Sequence, residues 1–127
     1  MSKAMTMNHL NLTVTDVQAA RRFLETYFGL QATRNPYTGA TVAETGNAGF
    51  CVLFDDAGLV LTLMKGRADL SYPPTFHIGF IQASEQAVND LHERLCADGF
   101  DADTPSRSHA WNFYVRAPGG FTVEVLA

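Results

Sequence analysis

His9 and His77 stand at the same point of two similar stretches, "HLNLTVTDVQAARRFLETYFGLQA" from residue 9 and "HIGFIQASEQAVNDLHERLCADGFDA" from residue 77, the second with a two-residue gap before Gly99. In the first stretch Leu10, Leu12 and Val14 alternate with His9, Asn11, Thr13 and Thr15, the two-residue period of a strand with one apolar and one polar face. A third chemical group sits near the end, in "FTVEVLA", where Phe121, Val123 and Val125 share one face and Thr122 and Glu124 the other. A carboxylate on an otherwise apolar strand is expensive unless a donor or a cation meets it. Two imidazoles and one carboxylate arriving from three strands make a ligand set for one divalent ion, with about half of its coordination positions open. A structural role suits either histidine alone, but an internal repeat aims both at one central cavity and so favours the metal reading.

Loop residues 103–111 supply further candidates: Arg107, His109, Trp111 and the nearby Tyr114 are expected at the rim of a ligand pocket, although such groups are more often plain surface. His109 and Tyr114 are the candidates for catalysis. Asn11, Thr13, Thr62, Arg107 and Trp111 are the candidates for substrate contact. His92 lies beside an apolar helical stripe and is expected at the surface. Cys51 and Cys96 have no CxxC spacing, so reduced, mostly buried thiols are expected.

The elements that must carry these groups follow from the same repeat. Asp16 is the expected N-cap of a helix whose apolar positions are Val17, Ala20, Phe23, Leu24, Tyr27 and Phe28, and Gly29 ends it. In the second copy Ser84 is the cap, Val88, Leu91 and Leu95 form the stripe, and Gly99 ends the helix. Both copies close on two apolar strands joined by a Gly-bearing turn, "VLFDDAGLVLTLM" and "FYVRAPGGFTVEVLA". Aligning Gly58 with Gly119, with one extra residue, sets Leu61 on Val123 and Thr62 on Glu124. Between Leu30 and Gly49 the pattern weakens: "LQATR" reads as a strand, "NPYTG" as a turn and "ATVAE" as strand or loop. The expectation is an α+β domain of two βαβββ modules, about residues 7–66 and 75–127, forming two sheets with a trough between them.

With 127 residues and 46% hydrophobic content, the chain fits a single domain with a proper core. Nine Lys and Arg against thirteen Asp and Glu give a net charge of −4, with no basic cluster, which argues against nucleic acid and anionic membranes as partners. The apolar runs are too short to span a bilayer, and a cytoplasmic location is expected.

At "NHLNLTVTDVQAARRFLETYFGL", "FHIGF" and "FYVRAPGGFTVEVL" the chain resembles the vicinal oxygen chelate superfamily, which includes glyoxalase I, bleomycin-resistance proteins, fosfomycin-modifying thiol transferases and extradiol dioxygenases. The resemblance spans nearly the whole chain and implies paired βαβββ modules with His9, His77 and Glu124 as metal ligands. Enzymes similar to glyoxalase I carry a glutamate where this chain has Thr62, which cannot serve as a proton-abstracting base. That departure argues against lactoylglutathione lyase activity. Asn11 replaces an expected threonine of the thiol transferases, and the turn "APGG" replaces the more usual Asp-Pro-Asp-Gly. A dioxygenase would need a further acid–base histidine, for which His109 is the candidate. The resemblance thus implies a small enzyme with one divalent ion (Fe, Mn, Zn or Ni), a small-molecule substrate bearing adjacent oxygens, and a homodimer. The rival expectation is a non-catalytic binding protein similar to bleomycin-resistance proteins.

Overall fold

The computed structural model describes residues 3–32 and 49–127. The chain divides into two compact units, Met1–Ala68 and Asp69–Ala127.

The first unit contains β1 (His9–Val14), α1 (Val17–Phe28), β2 (Phe50–Phe54) and β3 (Val60–Lys65). The polar and apolar alternation of β1 is realised: Leu12 and Val14 are buried while His9 and Asn11 are exposed. The Asp16 carboxylate accepts from the Ala19 amide at 3.0 Å, satisfying one of the helix's unpaired N–H groups. Gly29, at φ 71°, donates from its amide to the Glu25 carbonyl and ends α1 in the left-handed region that glycine enters without strain. Val17, Ala20, Phe23 and Leu24 are buried where α1 packs on β2 and β3. The sheet order is β1-β3-β2, with β1 parallel and β2 antiparallel to β3.

The strand expected at "LQATR" is reduced, among the described residues, to one bridge. Gln31 and Phe54 exchange two backbone hydrogen bonds, of 3.0 and 2.9 Å, and Ala32 extends no ladder. The turn "NPYTG" and the segment "ATVAE" lie outside the described residues.

The second unit contains β4 (Ile78–Ile81), α2 (Glu85–Ala97), β5 (Ser106–Arg107), β6 (Trp111–Ala117) and β7 (Phe121–Leu126), with strand order β4-β7-β6-β5. This is the βαβββ plan in full. Ser84 caps α2 by accepting from the Ala87 amide at 3.1 Å, and Val88, Leu91 and Leu95 are buried against β6 and β7. Phe113, Val115, Val123 and Val125 face them from the sheet, each at most 1% exposed. Two expectations are corrected here. His77 precedes β4 by one residue instead of opening it. Cys96 is exposed while Cys51 is buried, because Cys96 follows Leu95 on α2 and so turns about 100° away from the packed stripe.

The two sheets share a register. Asn11, two residues after His9, lies opposite Thr62 in a parallel pair, and Gly79, two residues after His77, lies opposite Glu124 in another. The alignment of Thr62 with Glu124 is therefore reproduced by the ladders. No helix among the described residues is long and apolar enough to cross a membrane.

Candidate functional site

The second unit gathers its polar groups on the face of the sheet turned away from α2. Antiparallel pairing sets Tyr114 opposite Glu124 and Arg116 opposite Thr122, with Asn112 two residues before Tyr114 on the same face. Glu124 is the focus. It is 5% exposed, and three nitrogens surround its carboxylate: Asn112 Nδ2 donates to Oε2 at 2.7 Å, His109 Nε2 lies 2.9 Å from Oε2, and His77 Nε2 lies 3.3 Å from Oε1.

The ring of His77 is oriented from behind. Its Nδ1 is 3.0 Å from the Thr75 carbonyl, an oxygen that can only accept, so Nδ1 carries the proton. A neutral imidazole in that tautomer presents the Nε2 lone pair to Glu124 Oε1. Two acceptors so placed are reconciled by a shared cation, either a proton on Nε2 or a metal ion. A histidine anchored through its outer nitrogen to a carbonyl is the usual preparation of a metal ligand. His77 and Glu124 thus fit, by chemistry and by spacing, the divalent ion that the sequence resemblance implies. Tyr114 meets the edge of the His77 ring with centroids 5.2 Å apart.

His109, 60% exposed by its side chain, closes a small hydrogen-bonded ring. Its Nδ1 is 3.2 Å from Ser108 Oγ, Ser108 Oγ donates to Asn112 Oδ1 at 3.4 Å, and Asn112 returns to Glu124. Beside this group opens a cavity of about 570 Å³ lined by Pro74, Thr75, His77, Asp103, Tyr114, Arg116 and Thr122.

The other expected residues fall elsewhere. Arg107 donates twice to Glu85, at 2.7 and 2.8 Å, and its guanidinium sits 5.4 Å from the centre of the Trp111 ring, whose Nε1 donates to Asn89. These contacts staple the β5–β6 region to α2 and leave both residues off the cavity that holds His77. Trp111 instead lines a separate depression of about 440 Å³ with Gln86, Asn89, His92 and Thr104. His92 is half-buried, its ring edge-on to Phe113 and 3.5 Å from Cys96 Sγ.

In the first unit, His9, Asn11, Thr13 and Thr62 share one face of the sheet. His9 Nδ1 lies 3.1 Å from Asn8 Oδ1, Asn11 donates to Met64 Sδ, and the Thr62 hydroxyl donates to the Leu10 carbonyl at 3.5 Å. Among the described residues no three His, Cys, Asp or Glu side chains gather as a metal site. His77 and Glu124 belong to the second unit and His9 to the first.

Asn112, Ser108, Asp103 and Arg116 were not singled out from the sequence. The signal for two of them is the alternation of "WNFYVRA", which puts Asn112, Tyr114 and Arg116 on one face.

The family profile described as Glyoxalase/Bleomycin resistance protein/Dioxygenase superfamily matches residues 6–125. No curated protein sequence matches the chain. Among solved structures, a possible glyoxalase from Bacillus cereus is 48% identical, covers 98% of this chain and 100% of its own, and superposes with a TM-score of 0.83. A glyoxalase/dioxygenase from Nostoc punctiforme is 22% identical, with 98% and 96% coverage and a TM-score of 0.70. The fosfomycin resistance protein FosX from Listeria monocytogenes, complexed with Mn(II) and 1S,2S-dihydroxypropylphosphonic acid, is 20% identical, with 98% and 91% coverage and a TM-score of 0.74. The profile spans nearly all of the sequence and the Bacillus protein shares almost half of its residues, so the chain belongs to the Glyoxalase/Bleomycin resistance protein/Dioxygenase superfamily.

Proposed function

We propose that the protein is a small metal-dependent enzyme in which His9, His77 and Glu124 hold one divalent ion and a substrate with adjacent oxygens takes the open positions. The observation that carries this reading is His77 Nε2 facing the buried Glu124 carboxylate at 3.3 Å, with Nδ1 anchored to the Thr75 carbonyl. The Mn(II) held by the Listeria FosX protein supports a divalent ion in this fold. Such an ion, when bound, supplies Lewis acidity to oxygens that gain negative charge in the reaction. The chain's own groups do the rest. Asn112 fixes the Glu124 carboxylate from the side away from His77. His109, exposed and within hydrogen-bond reach of that carboxylate, is oriented by it and exchanges its own proton with the ligand. Tyr114 offers its hydroxyl along the cavity wall. Thr62 brings no base from the first unit, so an isomerisation of the lactoylglutathione lyase type is not the reaction proposed.

Elemental analysis of the purified protein tests the reading: one equivalent of metal is expected in the wild type and none in His77→Ala or Glu124→Gln. Absence of stoichiometric metal from the wild type, after growth and dialysis with Fe, Mn, Zn and Ni in turn, overturns it. The rival reading, a binding protein that uses the 570 Å³ cavity without a metal, requires ligand affinity to survive Glu124→Gln unchanged.

A further inference from the structure

We propose that Arg116, held in place by Asp103 until a ligand displaces it, is a carboxylate subsite at the far end of this cavity, so that the substrate is a carboxylic acid whose adjacent oxygens sit at His77 and Glu124. The inference rests on the reading above and names the substrate's second anchoring group.

Arg116 is opposite Thr122 in the β6–β7 ladder, one pair beyond Tyr114 and Glu124 on the same face, which puts its Cα about 7 Å along the strand from theirs. Its guanidinium lines the cavity and makes one contact among the described residues, from Nη2 to Asp103 Oδ1 at 3.0 Å. Asp103 is presented to it by the backbone: the Asp103 amide donates to the Tyr114 carbonyl, the Arg116 amide donates to the Asp101 carbonyl, and Ala102 bridges Val115. The contrast with Arg107 is informative, because both Glu85 oxygens accept from its Nη2 and Trp111 covers its face, whereas Arg116 Nη2 reaches one oxygen of Asp103. The Arg116 fork is only half used.

Asp103 displays the group this fork accepts in the cavity, namely a carboxylate, and holds it by a single bond. The side chains of Arg116 and Asp103 are 45% and 51% exposed, and an ion pair so wetted contributes little. A ligand carboxylate that takes two parallel N–H bonds replaces Asp103 with a gain in both strength and geometry. The backbone bonds of residues 101 and 103 are untouched by that exchange, so only the Asp103 side chain has to turn away.

The test compares 5,6-dihydroxyhexanoate with hexane-1,2-diol, a pair differing by a carboxylate in place of a methyl group, titrated into metal-free and metal-loaded protein and followed by amide NMR. The carboxylate is expected to bind about tenfold more tightly than the diol and to move the Arg116 and Thr122 signals. Arg116→Gln is expected to bring that ratio to about one, Arg116→Lys to keep part of it, and Asp103→Asn to widen it about threefold. Circular dichroism certifies that each variant is folded. A wild-type ratio near one, a ratio indifferent to Arg116→Gln, or one narrowed by Asp103→Asn overturns the subsite. Metal content, measured on the same samples, fails or holds separately: carboxylate-dependent shifts at Arg116 in protein that takes up no metal would uphold the subsite and refute the metal reading.

Discussion

Asn112 carries much of the burden at the level of single side chains. It is 4% exposed, and its amide is the closest donor to a carboxylate that is itself almost sealed from water. Truncation to Ala leaves that oxygen short of a partner, for a cost of about 1–3 kcal/mol, measurable as a lowered urea midpoint with the slope unchanged. If metal occupies the site, the same change also weakens its retention by about tenfold, because an outer-shell bond that orients a ligand is lost. Glu124 itself was legible from the alternation of seven residues, and His77 from its place in the repeat. Asn112 and Arg116 were not, although they alternate just as plainly. Their importance depends on which residue of β7 each one faces, and that register is set by a turn in which Gly119, at φ 106°, replaces the more usual Asp and Gly120, at φ 92°, keeps the usual Gly.

The helices are where local chemistry and structure agree most closely. Asp16 and Ser84 were identifiable as caps because a short side-chain acceptor preceded each apolar stripe, and both accept the bond from the amide three residues on. Replacing either by Ala should lower stability by about 1 kcal/mol in chemical denaturation. Leu95→Ala, which empties a fully buried position between α2 and its sheet, should cost about 2–5 kcal/mol by the same measurement. Gly29→Ala forces a side chain into the left-handed region at φ 71° and should cost about 1–2 kcal/mol, even though nothing crowds a Cβ there. The segment after α1 resisted reading for the opposite reason. "LQATR" has strand-like composition but no alternation strong enough to fix a partner, and only Gln31 finds one among the described residues.

For the molecule as a whole, the duplicated plan was visible as a repeat, whereas the fate of its edges was not. In their described sheets β1 and β4 each pair on one side only, and Ile81 on β4 is 80% exposed. Unpaired edges invite association, and a symmetric pair of chains is the common way to cover them. A homodimer is the proposal, and sedimentation at micromolar concentration is its check: a single species of 13.9 kDa would exclude it. The common register has a bearing on engineering as well. Since Thr62 holds, in its own ladder, the rung that Glu124 holds in the other, a Thr62→Glu exchange would write an acidic group into a seat already shaped by the fold, at the expense of one long hydroxyl bond to Leu10. In the reading proposed above, that exchange supplies the base absent from the Thr62 position, and gain of isomerase turnover in the variant is the direct readout.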